Sequence, residues 1–402
     1  MLIRKAYKFR LKTNPAMEHA LWQYAGCCRF VWNYFWRMNS NRLGAGKRIL
    51  RYQEMDHWSK WMKKSEEYGF LAGAPAHIVQ QKLRDLDRAY SDAFDKNQPN
   101  KRLPKKRKRH LHSSFRFPSP SQFAIEGRRV KLPKLGWMRF YKSQDIKGAP
   151  KNITVSYHAG HWYLSVQVEQ ILSVSKPAND SAVGIDVGVA KFATCVSTTS
   201  ERIYAPLNAY RKREDKLAKA QRKLKHKQKF SNNWKKQQKE IQKHHSKIAN
   251  ARNDYLHKIS TEICKNHAMI FIEDLQIANM SKSAKGTIEN PGKNVQAKSG
   301  VNKSILDQGW HRFRRQLEYK SAWSGGHIVA INPKYTSQKC SCCGHVSKHN
   351  RPDQATFHCT HCDFETNADI NAARNILAAG LCRDGLCSES HQRSAAETRG
   401  AA

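Results

Sequence analysis

The sequence predicts a multidomain protein that joins an α/β domain to a small β-barrel and a helical unit. Three observations carry that expectation. The 402 residues leave room for two or more domains with real cores. A strand-period segment opens the chain, and a second strand-rich stretch follows over residues 115–170. Beyond residue 180, apolar strands alternate with long helical patterns, and two Cys-x-x-Cys pairs interrupt the series near its end.

Leu2 to Lys12 alternates, with Tyr7, Phe9 and Leu11 on one side and basic residues on the other, the period of a half-buried strand that Asn14-Pro15 ends. From Met17 to Met38 the positions Leu21, Tyr24, Cys28, Val31, Trp32 and Phe35 recur at helical spacing, as do Val79, Leu83, Leu86, Tyr90 and Phe94 from Ile78 onward. The stretch Gln98–His112 is basic and broken by proline, and reads as a solvated or phosphate-contacting linker. Ile153, Val155 and Tyr157, a His158-Ala159-Gly160 turn, then Trp162, Leu164, Val166 and Val168 form a hairpin signature that suggests a barrel joined by the N-terminal strand. Lys176-Pro177 to Ser181 reads as a linker. Ala182–Val189 and Lys191–Ser197 follow as neighbouring strands with a glycine turn between them. Arg211–Lys258 is helical and about four times richer in Lys and Arg than in acids. Ala268–Glu273 is an apolar strand ending in a carboxylate, and Ser281–Lys303 is polar, rich in Gly and Lys, and expected to be mobile. Ile305–Trp323 reads as one helix, His327–Asn332 as a strand and Asp369–Ala379 as a helix, with a disordered tail after it.

Seventy-two Lys and Arg against thirty-two Asp and Glu give a formal charge of +40 and a pI near 10.0, a self-repelling surplus that calls for a polyanionic partner. Nucleic acid is the expected partner. A basic membrane-surface protein is the competing reading, but no apolar run is long enough for a spanning helix. A cytoplasmic, nucleoid-associated place is expected, with no small-molecule substrate.

Cys340-x-x-Cys343 and Cys359-x-x-Cys362, fifteen residues apart, can close a tetrahedral shell of four thiolates around a structural Zn(II). Gly344 supplies the permissive backbone of a metal-binding turn. Cys340 with Cys342 is an alternative pair whose spacing matches the second pair less well. His358 and His361 read as bystanders, and Cys27, Cys28, Cys195, Cys264, Cys382 and Cys387 show no ligand spacing.

Three acids sit in apolar elements: Asp186 in Val183-Gly-Ile-Asp-Val-Gly188, Glu273 at the close of its strand, and Asp369 at the start of the last helix. An acid in a buried strand is costly unless it is paired or bound to metal. With a βββ, long connection, β, helix, β, helix order, the three suggest an RNase H-like sheet whose carboxylates converge at one edge. Such a cluster holds two Mg(II) ions, or Mn(II), about 3.5 to 4 Å apart and hydrolyses phosphodiesters with no protein nucleophile.

The strings Gly184-Ile-Asp-Val-Gly188, Ile272-Glu-Asp-Leu275 with Met280, Thr336-Ser-Gln-Lys-Cys340-Ser-Cys-Cys-Gly344 and Asn367-Ala-Asp-Ile-Asn-Ala-Ala-Arg-Asn-Ile376 resemble the ordered signatures of the TnpB/OrfB proteins of insertion sequences. Tyr7-Lys-Phe-Arg-Leu11 and Arg29-Phe-Val-Trp-Asn33 resemble the family's opening, so the likeness runs to about Gly380. The resemblance implies an RNA-guided DNA endonuclease, related to the ancestors of type V CRISPR effectors, that works with a guide RNA from the transposon end on double-stranded target DNA. It makes Asp186, Glu273 and Asp369 the RuvC triad and the four cysteines a zinc ribbon. It divides the chain into a wedge β-barrel (1–14 and 115–178), a helical recognition domain (15–114), a RuvC nuclease domain (179–338 and 366–380), the ribbon (339–365) and a disordered tail (381–402). Gln80 falls where the family contacts a short target-adjacent DNA motif, next to His77, which departs from the family pattern. Asn367 stands where many relatives carry an acid. In guided nucleases the protein reads backbone shape and a short duplex motif while base pairing chooses the sequence, so a broad cationic surface is required.

Two other classes compete. A catalytically silent RNA-guided repressor would share the charge, barrel and ribbon but has no use for three metal-binding acids. A transposase that itself joins strands would need a tyrosine nucleophile or end-binding signature, and neither is evident.

Overall fold

The computed structural model describes residues 1–109, 113–173 and 181–383, which divide into two compact units meeting between Leu172 and Ser173. In the first unit, strand β1 (Leu2–Lys12) leads into helices α1 (Pro15–Gly44), α2 (Tyr52–Met62) and α3 (Ala76–Phe94). Six strands follow: β2 (Ser114–Phe117), β3 (Ala124–Glu126), β4 (Arg129–Leu132), β5 (Gly136–Tyr141), β6 (Ala149–His158) and β7 (His161–Ile171). They form an antiparallel sheet of seven in the order β2-β6-β7-β1-β5-β4-β3. The N-terminal strand joins it at the centre, with Phe9 opposite Leu164 and Tyr7 opposite Val166. The barrel expected from the hairpin is therefore an open half-barrel with β2 and β3 as its edges. Its apolar face shares one core with α1 and α3, through Leu21, Phe35, Leu83, Phe115 and Trp162 among others.

Asn14 caps α1 by accepting from the Met17 amide, and Pro15 sits at the first helical position where its missing N–H costs nothing. The helix α2 carries no long apolar period and was not expected from the sequence. The basic stretch after α3 departs from a free linker. Trp32 and Trp36 donate their indole N–H groups to the carbonyls of Lys105 and Pro104, and Asn33 exchanges two hydrogen bonds with the Arg107 backbone. The Arg107 guanidinium lies 3.6 Å from the Trp32 ring centre. The backbone is strapped to α1 while Lys105, Lys106, Lys108 and Arg109 face solvent.

The second unit begins with β8 (Ala182–Asp186), β9 (Ala193–Ser197) and β10 (Glu201–Tyr204), followed by the basic helices α4 (Glu214–Lys225) and α5 (Asn232–Asn266). Strand β11 (Met269–Glu273), the short α6 (Ile277–Met280), α7 (Val295–Gln308), α8 (Trp310–Trp323) and β12 (His327–Ile331) come next. The small strands β13 (Thr356–His358) and β14 (Glu365–Asn367) pair within the cysteine-bearing insertion, and α9 (Ala368–Arg383) closes the described chain. The sheet runs β10-β9-β8-β11-β12, with the first three strands antiparallel and β8, β11 and β12 parallel, the RNase H-like arrangement. One face packs on α5 and α8 through Ile259, Ile263, Phe313 and Leu317. The other receives α9 through Ile376 and Leu377 against Phe271 and Ile331.

Three expectations for this unit change. The segment expected to be mobile from Ser281 to Lys303 turns helical at Val295, and Ile305 and Asp307 of that helix are buried. The single helix expected over Ile305–Trp323 is two, because Gly309 adopts a φ of 75° that breaks the ladder and that residues with a side chain rarely adopt. The last helix runs on through Arg383 rather than ending at Ala379, so residues 381–383 are helical. The tail from 384 and most of the linker before Ser181 lie outside the described residues.

Two glycines let α9 lie directly on the sheet. A Cβ at Gly184 of β8 would run into the Ala373 carbonyl and come within 2.6 Å of the Leu377 amide, and one at Gly380 would enter the Phe271 ring. Backbone cannot retreat as a flexible side chain can. Gly184→Ala is therefore expected to cost about 3 kcal/mol and to lower the Tm of this unit by roughly 6–10 °C. Differential scanning calorimetry checks this, and an unchanged Tm would mean that α9 does not ride on β8 this closely.

Candidate active site and metal centre

β8 is buried over its first four residues and only partly less so at the fifth, Asp186. β11 repeats the pattern, its three central residues buried and Glu273 half-exposed at the end. The two strands are parallel and in register, Ile185 opposite Ile272, so Asp186 and Glu273 emerge side by side at the same sheet edge, about 5 Å apart along the pairing direction. Asp369 lies in the first turn of α9, one turn before Ala373, whose carbonyl sits over Gly184. The contact that Gly184 permits brings Asp369 to the edge where Asp186 ends.

The electrostatics record the convergence. Burial, then the charges of Glu273 and Asp369, push the Asp186 carboxyl up to about 7, against the nearby Arg351 guanidinium and the Val187 amide, which pull it down. Burial also raises Glu273, opposed by the hydroxyl of Thr336, which donates to Glu273 Oε1 at 2.6 Å. Among the described residues the four cysteines are the one group of three or more whose ligand atoms all lie within 4.8 Å of one another, so the three carboxylates are more widely spaced. The donor set, three carboxylates of which one keeps its proton near neutrality, suits hard divalent ions bound through oxygen.

The Cys340, Cys343, Cys359 and Cys362 thiols form the tight group, with Sγ to Sγ separations of 3.8 Å (Cys340 to Cys362) and 3.6 Å (Cys343 to Cys359). A disulfide would require about 2.05 Å. A tetrahedron with metal–sulfur bonds of about 2.3 Å has edges near 3.8 Å, so the four residues fit Zn(II). Cys342 is exposed and outside the group, and His358 and His361 are not among its members. At Gly344, with φ of 82°, the amide donates to the Cys340 carbonyl at 3.0 Å and turns the first knuckle.

Several residues at the site carry no sequence signal. Asn371 and Asn375, both on α9, clamp the first knuckle. Asn371 donates to the Lys339 carbonyl and accepts from the Ser341 amide; Asn375 donates to the carbonyls of Lys339 and Thr336. Thr336, Lys191 and Arg351 likewise act through residues distant in the chain. The run Asn367 to Ile376 was the one available signal, since polar residues spaced along an otherwise apolar helix must find partners when buried. Gln80 lies half-buried on α3 in the first unit.

Three family models match: "Probable transposase", the OrfB type, over residues 163–284, "Cas12f1-like, TNB domain" over 310–376, and "Helix-turn-helix domain" over 1–48. Residues 1–48 here form β1 and the single helix α1 rather than two helices about a turn. The chain is 47% identical over 376 residues to "Putative RNA-guided DNA endonuclease InsQ" of Escherichia coli (strain K12), covering 94% of this chain and 92% of that protein. It is 31% identical over 394 residues to a Streptomyces pristinaespiralis protein also described as an RNA-guided DNA endonuclease, covering 96% of this chain and 92% of the other. Its fold resembles the protein in "Cryo-EM structure of the Cas12f1-sgRNA-target DNA complex", with a TM-score of 0.56 at 13% identity, over 93% of this chain and 98% of that one. On the strength of near full-length identity to these relatives, the chain belongs to the TnpB/OrfB family of insertion-sequence proteins.

Proposed function

We propose that this protein is an RNA-guided DNA endonuclease encoded by a transposable element, cutting target DNA at Asp186, Glu273 and Asp369. The observation that supports the reading is the placement of Asp186 and Glu273 at the ends of two adjacent parallel strands, where burial first and then the charges of Glu273 and Asp369 raise the Asp186 carboxyl to about 7. The relatives' names and the charge of +40 support a guide RNA and duplex DNA as partners.

Asp186, Glu273 and Asp369 would hold two divalent ions, Mg(II) or Mn(II), which when bound activate water and offset charge on the leaving oxygen. The chain's own part is positional. Parallel pairing fixes Asp186 and Glu273 relative to each other, Thr336 holds the Glu273 carboxylate by one oxygen, and Arg351 lies near Asp186 as a cation for phosphate. The four cysteines would hold one structural Zn(II). We assign residues 1–14 and 115–178 to the wedge, 15–114 to the recognition domain, 179–338 and 366–380 to the nuclease and 339–365 to the ribbon, and Gln80 to a target-adjacent motif contact. Among the described residues no helix is long and apolar enough to cross a membrane.

The test is purification of the protein from cells carrying its native element, with sequencing of the nucleic acid that accompanies it. A defined RNA ending in a variable guide is expected, and the loaded complex should cut duplex matching that guide in the presence of Mg(II). Random RNA fragments, or a uniform RNA with no guided cutting, would refute the reading.

A further inference from the structure

We propose that Lys191 is a positioning residue of the nuclease site, holding Asp369 in place and standing as its counter-charge when no divalent ion is bound. The inference rests on the metal-site reading above and goes beyond the three acids.

Lys191 lies in the short connection between β8 and β9, five residues after Asp186. That connection is fixed at both ends. A Cβ on Gly188 would meet the Lys191 carbonyl at 2.9 Å, and the next residue, Phe192, is buried against Tyr255 and Phe313 while its amide donates to the Tyr204 carbonyl at 2.8 Å. A lysine on a backbone so restrained loses less freedom when its ammonium is engaged. Its Nζ donates to Asn367 Oδ1 at 2.8 Å and pairs with Asp369 Oδ2 at 3.2 Å. The same Asn367 oxygen accepts from the Asp369 amide at 3.2 Å, and the Asn367 amide donates to the Ala355 carbonyl at 3.0 Å. One oxygen thus caps α9 and receives the ammonium, so Lys191, Asn367 and Asp369 form a closed arrangement around the first turn of the helix. Lys191 and Asp369 are about a quarter to a third exposed, so the pair is screened in part but not solvated as a surface pair is.

An ammonium on one ligand and a divalent ion near the same carboxylates compete electrostatically, while the ammonium also keeps that ligand from swinging out. Removing the charge without the length should therefore separate two quantities that a merely structural lysine would move together. In Lys191→Met, divalent-ion binding should tighten by about tenfold, since a unit charge a few ångströms away is lost. Guided cleavage at saturating Mg(II) should fall by about tenfold, since Asp369 is no longer held. Lys191→Arg should return both toward the parent values.

Mn(II) binding to the full-length protein is measured by electron paramagnetic resonance, with Asp186→Ala/Glu273→Ala as background, beside cleavage by the RNA-loaded complex and the Tm of each variant. Tighter Mn(II) with slower cutting at an unchanged Tm supports the proposal. Unchanged or weaker Mn(II) binding in Lys191→Met at an unchanged Tm overturns it. If Lys191→Met fails to fold, Lys191→Gln takes its place with the same expected split. Should the parent protein bind no Mn(II) above background, the metal-site reading falls and this inference with it, an outcome distinct from a parent that binds while the variant matches it.

Discussion

Asp186→Ala in the RNA-loaded protein reduces cleavage of matched duplex DNA by about 10³-fold or more while leaving RNA binding intact. The expected size follows from the role proposed for the carboxylate, a metal ligand facing the charges of Glu273 and Asp369: losing a preorganised electrostatic group at a reacting phosphate typically costs about 10²–10³ even when the rest of the site survives. Asp186→Asn refines the test, because asparagine keeps the shape but cannot ionise. Folded Asp186 sits at about 7, raised from 3.8 by burial first and then by the two neighbouring acids. A raised carboxyl stabilises the fold relatively at low pH, and that contribution is lost as pH climbs through the window from about 4 to about 7. In metal-free buffer Asp186→Asn should therefore match the parent near pH 4 and exceed it above pH 7, by on the order of 4 kcal/mol. Thermal melts across pH, paired with a filter-binding assay for RNA and gel-based cleavage, read both halves. An inactive variant with no pH-dependent gain in Tm would remove the crowded-carboxylate argument, and an Asp186→Ala protein that cuts as the parent does would remove the site.

What could be read from the chain and what could not divides by sequence distance. The alternation of Leu2–Lys12, the hairpin about Ala159-Gly160 and the two Cys-x-x-Cys pairs are local patterns, and each reappears at its expected place. The positions of Asp186 and Glu273 at the ends of buried strands were legible because an acid closing an apolar strand is conspicuous. Lys191 was not, being one of seventy-two basic residues, with its partner Asn367 lying 176 positions away. Thr336 is 63 positions from the carboxylate it serves. The division of α7 from α8 escaped because the helical period runs unbroken through Ile305–Trp323, and only the positive φ of Gly309, packed against Arg252 and Leu256, shows where the ladder breaks. The strap of residues 104–107 on α1 escaped for a related reason: a basic, proline-broken run looks solvated until two indole donors are found beneath it.

The second large effect concerns the ribbon. Cys359→Ser, or stripping of the metal by a strong chelator, should release about one zinc per chain, expose the segment between Cys340 and Asn367 to protease, and lower guided cleavage by at least about 100-fold. The fully enclosed core of this segment consists of Cys340, Phe357, Cys359 and Ala368, too few apolar groups to hold a fold alone, so metal binding must supply its stability. The loss should reach the nuclease site because the first knuckle is hydrogen-bonded to α9. Ser341 and Lys339 are tied to Asn371 and Asn375 of the helix that begins with Asp369, Asn375 also holds the Thr336 carbonyl at 2.9 Å, and the Thr336 hydroxyl holds Glu273. When the knuckle opens, buried Asn371 loses both partners and Thr336 loses its tether, so two of the three acids lose the groups that aim them. Cys342→Ser is the control, since Cys342 is exposed and outside the thiol group; it should retain zinc and cut normally. Metal content by mass spectrometry, limited proteolysis and cleavage are read on the same preparations. A Cys359→Ser protein that has lost its zinc yet cuts at the parent rate would show that the ribbon does not support the catalytic carboxylates.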